Sequence, residues 1–556
     1  MNRQAPSCST VQPHSFRGSL WLVLWLELLL ALLYLPGLDF LPFDKEEPRR
    51  SLIARNMLDT GDYLVPTLLG QPYTAKPPLF NWLIAATSLP NNKEITEFTA
   101  RLPSVLALAL LTAVMVLGMR RFISIRGQTF LGIALLLTPE LMRKATLAEI
   151  ELTFTLLVTL SIWTWYWRYH QQKSGLRLWL MPLLFTALSF LTKGPPALLF
   201  FYLSIVPFLV LRKNYRELFG LGHATGLVVM ILIIGCWIFF MLDRVGVATL
   251  HQTIEREMLA RGTLRSTYEV LQHILIYPLE LSIAMLPFSL MLGLLVLRTV
   301  REALIQRFGS LYTFPLLAIL ANLPIYLFGD AAVRYFLPMF PTALVITALL
   351  FEIYGERSKT SSRPLRRPID CGLQFFSTLL VGLCIGLVAG AAVTLWDDDA
   401  PQVLPLSLTL FLIGIMPFAA VGIYRYAKKD GPRALVPTLV GLLIVTRLID
   451  FTIILPQRAK DWIHTRHVPS TLTTVEKEVE HAQSIHVVGW IPYELYFYAR
   501  RGFLVPTASI QALRPSDYLL RYERGETVDR APVQGATELH RVNFDGGQLI
   551  LYQVGG

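Results

Sequence analysis

The chain has 556 residues, of which 53% are hydrophobic and 16% charged, with a mean hydropathy of +0.49. These figures exclude a disordered chain, a collagen-like chain and a disulfide scaffold. They also argue against an ordinary soluble enzyme, because many apolar runs reach the length of about 20 residues that a bilayer-spanning helix needs. The net charge of +11 alone would suit a nucleic-acid binder. Here the basic residues sit between apolar runs, the pattern of cytoplasmic loops in a polytopic membrane protein, so no nucleic-acid partner is expected.

Thirteen spans are expected in chain order: 18–37, 101–120, 127–143, 149–167, 178–192, 195–211, 220–242, 279–297, 311–328, 335–354, 371–395, 403–424 and 434–456. The first run is too long for a cleavable signal peptide and lacks a small-residue cleavage site. Basic residues fall in alternate connections, among them Arg120, Arg121 and Arg126, then Arg212, Lys213 and Arg216, then Arg425, Lys428 and Lys429. The positive-inside rule then puts the N-terminus in the cytoplasm and the segment 38–100 outside. The polar tail after residue 456 is outside too, and its strand-like runs at 485–489, 503–505, 517–520 and 548–552 with a helix near 492–500 predict a small α/β domain. The stretch 357–368 reads as a basic linker. The expected architecture is a polytopic α-helical membrane domain (1–456) with a C-terminal α/β domain (457–556). The four cysteines, Cys8, Cys236, Cys371 and Cys384, show neither CxxC nor metal-ligand spacing and are expected to be inert thiols.

The first outer loop carries the densest chemistry. Glu46 and Glu47 precede Pro48, apolar residues follow at Leu52, Ile53, Met57 and Leu58, and Gly61 closes the run. Early acid, early Pro and terminal Gly punctuate a helix, here amphipathic and expected to lie along the outer membrane surface. A second helix is expected from Lys76-Pro77-Pro78 through Trp82. The carboxylates Asp44, Glu46 and Glu47 either offset the helix dipole or form a site with Arg49 and Lys76. Lys193-Gly194-Pro195-Pro196 repeats the Lys-before-Pro pattern on the same side. A lysine beside a helix N-terminus suits a phosphate.

Glu149 and Glu151, near Arg143 and Lys144, open the fourth span, where carboxylates are costly unless paired or functional. Arg334-Tyr335 stands at the start of the tenth span and can hold a phosphate or anchor the helix. In the outer stretch 243–278, Glu257 and Arg261 have i,i+4 spacing, while His251 and His273 read as ordinary polar loop residues. A divalent metal has no motif that carries it, and no nucleotide motif appears on the cytoplasmic side. An ATP-driven pump and a nucleotide-sugar donor are therefore disfavoured.

Glu46-Glu47-Pro48-Arg49-Arg50, Ile53-Ala54-Arg55, Thr60-Gly61-Asp62-Tyr63-Leu64-Val65-Pro66 and Lys76-Pro77-Pro78-Leu79-Phe80-Asn81-Trp82 resemble the first periplasmic loop of the bacterial aminoarabinose transferase family. That family belongs with the protein mannosyltransferases among membrane glycosyltransferases of the C fold. Leu191-Thr192-Lys193-Gly194-Pro195 and Tyr335-Phe336-Leu337-Pro338 are similar to further motifs. The resemblance implies inverting transfer of a sugar from a polyprenyl-phosphate donor to lipid A or another lipopolysaccharide component in the bacterial inner membrane. A protein hydroxyl acceptor is the alternative, and a lipid or polysaccharide transporter is the alternative from another class. The resemblance further implies a catalytic set of Glu46, Glu47, Asp44 and Glu151, with Glu46 standing where the family has Asp. It implies donor-phosphate binding by Lys76, Arg49, Arg55, Lys193, Arg261, Arg334 and Tyr335.

Overall fold

In the computed structural model, the residues described are 16–248, 255, 266–328, 331–355, 363–395, 402–429, 431–465, 468–479, 482, 484–499, 502–507, 513–524, 535–545 and 547–554. The first apolar run forms α1 (Phe16–Tyr34). The first loop then folds as α2 (Glu47–Thr60), a hairpin of β1 (Thr67–Leu68) and β2 (Gln71–Pro72), and α3 (Leu79–Ser88). The membrane bundle continues with α4 (Glu97–Met119), α5 (Ile125–Leu137), α6 (Pro139–Ala145), α7 (Glu151–His170), α8 (Leu176–Lys193), α9 (Pro196–Leu211), α10 (Tyr215–Leu218) and α11 (Leu221–Val245). It is completed by α12 (Thr267–Ala284), α13 (Phe288–Gly293), α14 (Arg298–Phe308), α15 (Ser310–Leu327), α16 (Phe340–Gly355), α17 (Arg363–Leu395), α18 (Leu406–Lys429) and α19 (Gly431–Ile449).

Helix occurs at each of the thirteen expected positions. Among the described residues nine helices are long and apolar enough to cross a membrane, while Ile125–Leu137 and Pro196–Leu211 are apolar but shorter. The protein is thus a polytopic helical membrane protein.

Several boundaries differ from expectation for identifiable reasons. The run 127–143 breaks at Thr138, because Pro139 has no N–H to continue the ladder and instead starts α6. The eighth helix begins at Thr267, where Ser266 and Glu269 form a reciprocal cap, and Pro287 interrupts it before α13. His273 therefore lies within a helix, with Nε2 3.1 Å from the Tyr326 carbonyl oxygen, and not in a loop. Helix α17 already begins at Arg363, inside the stretch read as a linker. Helix α14 was not expected at all; it buries Val300, Leu304 and Phe308, one stripe at helical spacing.

The tail opens with α20 (Leu455–Thr465) and α21 (Val468–Glu478), followed by a five-stranded sheet. Its order is β4 (Leu504–Thr507), β3 (Ile485–Val488), β5 (Tyr518–Arg524), β7 (Gly547–Val554) and β6 (Ala536–Phe544). Strand β3 pairs parallel with β4 and β5, and α22 (Tyr493–Tyr498) supplies the crossover to β4. Strands β5, β7 and β6 pair antiparallel, and β6 carries an irregularity between Glu538 and His540.

One apolar cluster fills the helix bundle and a second fills the tail domain. A third joins Phe43, Ala54, Leu58, Phe80 and Ile84 of the first loop to Phe497 of α22. The first loop and the tail domain therefore share a core, which fixes α22 against α2.

Candidate active site

Helix α2 is held by its own punctuation. Pro48 occupies its first turn, and Gly61 ends it at φ 73°, donating its N–H to the Met57 carbonyl at 2.9 Å. Ile53, Ala54, Met57 and Leu58 are buried along one face. That packing leaves the charged N-terminal turn to organise what surrounds it.

Glu47 is 1% exposed. Arg101, on α4, donates Nε to Glu47 Oε1 at 2.8 Å and Nη2 to Oε2 at 3.0 Å. The same carboxylate accepts the N–H of Ala148 at 2.8 Å and of Asp44 at 3.2 Å. Arg101 also donates to the carbonyls of Leu38, Leu41 and Pro42. One buried pair thus ties the entry to the first loop, α4 and the turn before α7 together. Sequence reasoning passed over Arg101. Its signal was a guanidinium at the edge of an apolar run, a place that demands a partner.

Glu46 points differently. Its side chain is 41% exposed, pairs with Arg49, and lies 3.6 Å from Arg50. The Tyr73 ring lies 5.6 Å from the Arg49 guanidinium and 5.7 Å from that of Arg50, so both cations flank one ring. Asn81 donates to the Arg50 carbonyl at 2.9 Å and locks α3 onto α2. Asp44 is half-buried, and Lys76, also half-buried, donates to the Ala75 carbonyl at 3.1 Å. Arg55 faces the tail domain, donating to the Phe497 carbonyl at 3.0 Å with its guanidinium 3.9 Å from that ring. Arg261 and Glu257 lie outside the described residues.

A second group gathers at the start of α7. Lys193 ends α8, and Gly194 turns the chain at φ 84° into α9. Its ammonium lies 3.4 Å from Glu151 Oε1, 5.0 Å from the Tyr335 ring centre and 5.3 Å from that of Phe154. The Arg334 guanidinium stands 5.3 Å over the same Tyr335 ring. Lys144 pairs with Glu149, while Arg143 pairs with Glu140 at 2.6 Å. Residues 146–150 connect the two groups: Ala148 ends on Glu47, and Glu149 and Glu151 follow directly. The Ser104 hydroxyl fixes that turn by donating to the Leu147 carbonyl at 2.7 Å.

Among the described residues, three buried guanidinium nitrogens have no acceptor: Nε of Arg49, Nη1 of Arg50 and Nε of Arg334. A buried cationic donor without an acceptor is costly, and an anionic ligand would relieve it. Among the described residues, no three His, Cys, Asp or Glu side chains converge as a metal site would require.

The tail domain closes one side. Tyr498 donates to Glu97 and accepts the Phe43 N–H at 2.8 Å. Burial, reinforced by the Glu97 carboxylate, pushes its phenol well up, so it stays a donor.

A family model described as dolichyl-phosphate-mannose-protein mannosyltransferase matches residues 75–239. An "Uncharacterized protein" of Aquifex aeolicus (strain VF5) is 23% identical over 367 residues, 65% of this chain and 66% of that one. An undecaprenyl phosphate-alpha-4-amino-4-deoxy-L-arabinose arabinosyl transferase of Pseudomonas paraeruginosa (strain DSM 24068 / PA7) is 30% identical over 190 residues, and the match spans about a third of each chain, 34%. The crystal structure of ArnT from Cupriavidus metallidurans in the apo state superposes with a TM-score of 0.65 at 17% identity, covering 97% of this chain and 99% of that one. The same protein bound to undecaprenyl phosphate gives 0.66 at 15% identity with the same coverage. At those identities the likeness shows a common fold. Over residues 75–239 the sequence is thus similar to the protein mannosyltransferase family, and over nearly the whole chain the fold is that of the ArnT structures.

Proposed function

We propose that this protein transfers a sugar from a polyprenyl-phosphate donor to an acceptor at the outer face of the bacterial inner membrane, with inversion at the anomeric carbon. The acceptor is lipid A or another lipopolysaccharide component. The N-terminus is cytoplasmic and the tail domain periplasmic. The observation that carries the reading is the set of buried guanidinium N–H groups with no acceptor among the described residues, on Arg49 and Arg50 beside Glu46 and on Arg334 near the Lys193–Glu151 pair. A phosphate fills such donors, and a transferase needs them most as the leaving phosphate gains charge. The arabinosyl transferase relatives and the undecaprenyl phosphate bound to ArnT support a polyprenyl-phosphate donor.

In this reading Lys193, Arg334 and Tyr335 hold the donor phosphate, and Glu151 holds Lys193 in place. Glu46, the accessible carboxylate of α2, orients the acceptor or takes its proton, with Arg49 and Arg50 fixing its direction. Glu47 is a positioning residue, since its carboxylate is filled by Arg101 and two backbone N–H groups. The bond that breaks joins the anomeric carbon to the donor phosphate oxygen; the bond that forms joins that carbon to the acceptor oxygen.

The test is to incubate the full-length protein in lipid nanodiscs with a polyprenyl-phosphate sugar and measure free polyprenyl phosphate. Acceptor-dependent release is expected. Movement of the donor between leaflets without bond cleavage would make the protein a transporter instead. Mass spectrometry of envelope glycolipids from cells with and without the protein then identifies the acceptor.

A further inference from the structure

Between the β1–β2 hairpin and the tail domain lies a concave cleft of about 390 Å³. That falls within the range of roughly 300–1,000 Å³ typical of small-ligand sites. Four aromatic residues line it: Tyr73 from the first loop, and Trp490, Tyr493 and Tyr496 from the tail. Trp490 is 56% exposed, and its ring meets Tyr522 edge to face at 5.8 Å. An indole that exposed, set in a concavity beside three tyrosines, is a stacking platform. Sugar rings present C–H faces that suit the electron-rich face of an aromatic ring. Their edge hydroxyls need donors and acceptors, which the Gln71 amide can supply.

Arg49 links the cleft to the acidic site. The Arg49 guanidinium lies 5.6 Å from the Tyr73 ring and 5.9 Å from the Tyr493 ring, and it also pairs with Glu46. A ring stacked in the cleft is thus one side chain away from the carboxylate assigned to the acceptor. An extended peptide would fit poorly. Strand pairing with the edge strand β4 or with the hairpin is interrupted in each case by a proline that lines the cleft, Pro506 or Pro72, which has no N–H to give.

We propose that this aromatic cleft binds the saccharide portion of the acceptor and delivers it to Glu46. The proposal rests on the transferase reading given above and adds the surface on which the acceptor's saccharide docks.

The experiment uses the full-length protein in nanodiscs and titrates it with a soluble glucosamine disaccharide, with and without phosphate, and with a Ser/Thr-containing peptide. Binding is followed by saturation-transfer NMR. Disaccharide binding is expected, weakened about five- to tenfold by Trp490→Ala, the effect of losing one stacked ring. Trp490→Phe should restore it to within about twofold, and Gln71→Ala on the facing wall should weaken it less than Trp490→Ala does. Both positions are exposed, so folding is preserved. Disaccharide binding that is absent, or untouched by either alanine, overturns the proposal. Peptide binding lost on Trp490→Ala also overturns it, in favour of a protein acceptor. Donor cleavage is scored separately. If wild-type protein releases no polyprenyl phosphate the transferase reading fails, and if it releases it while the disaccharide ignores Trp490 only the cleft proposal fails.

Discussion

Glu47 and Arg101 are 54 residues apart in sequence and joined by two parallel hydrogen bonds, of 2.8 and 3.0 Å, in a site closed to solvent. The geometry is the fork-on-fork pairing that favours arginine over lysine. Its remaining valences are filled as well, by backbone carbonyls on the cation and backbone N–H groups on the anion. Removing one partner strands the other, so Glu47→Gln or Arg101→Met is expected to cost about 3–5 kcal/mol. The double variant Glu47→Leu/Arg101→Met should cost less than the sum of the singles. Thermal unfolding in detergent measures both. A Glu47→Gln protein of wild-type stability that lacks turnover would return Glu47 to the chemical step.

Glu46 makes the opposite prediction. Its side chain is 41% exposed, so Glu46→Gln should leave stability nearly unchanged. With a hydroxyl acceptor, transfer should fall about 10²–10⁴-fold, the usual contribution of a general base. With an acceptor phosphate, already ionised, the loss should be far smaller. Comparing the two acceptors in the polyprenyl phosphate release assay separates proton removal from orientation.

The contrast between these neighbours shows what the sequence could reveal. Acid, proline and glycine at the right spacing made α2 legible, because helix punctuation is local. The division of labour between Glu46 and Glu47 was not legible, since it depends on Arg101 and Ala148, which only tertiary folding brings close. The Lys193–Glu151 pair likewise joins positions 42 residues apart. Their charges at the ends of apolar runs marked both as candidates but gave no partner. Strand β6 was missed because an edge strand with mostly exposed side chains, Thr537 through Leu539 among them, lacks an apolar alternation to read. Both prolines that ended helices early, Pro139 and Pro287, were visible as residues, yet proline also occurs within α4, α8 and α9. Packing decides which prolines break a helix.

Lys193 is expected to act on the donor. Among the described residues it has one carboxylate partner, at 3.4 Å, and two aromatic rings around it, so its charge is held at one place. Lys193→Met should lower donor cleavage about 10²–10³-fold, as loss of one preorganised electrostatic contact does. Glu151→Gln should lower it less, because the ammonium remains but is no longer anchored. Initial rates against donor concentration test the order; a Glu151→Gln defect larger than that of Lys193→Met would assign the direct role to the carboxylate.

Gly194 sets where that lysine sits. Its φ of 84° and ψ of −147° lie in a region open to glycine and closed to other L-residues. A Cβ there would meet nothing within 4 Å, so the penalty for Gly194→Ala is backbone strain alone. That strain is about 1–3 kcal/mol, and relaxing it must rotate the junction that carries Lys193. The expected result is a raised donor KM with acceptor KM unchanged. Equal rises in both would mean that the turn serves folding rather than the donor site.

Tyr498 is the test of how the tail domain is held. Its hydroxyl bridges the Phe43 N–H and the Glu97 carboxylate, and its ring belongs to the shared core with Phe43 and Phe497. Tyr498→Phe keeps the ring and deletes the bridge, leaving a backbone donor and a carboxylate unsatisfied. The expected cost is about 1–3 kcal/mol, borne at the interface and not in either core. Limited proteolysis should then cut near the tail boundary faster than in the wild type, while the helix bundle unfolds at its usual temperature. If the α2–α22 contact also holds the first loop in its working position, transfer should fall in step with proteolytic opening. Arg55→Ala, which removes the second polar tie at 3.0 Å, should add to that effect. Opening without any loss of transfer would show that the tail domain shelters the loop without shaping it.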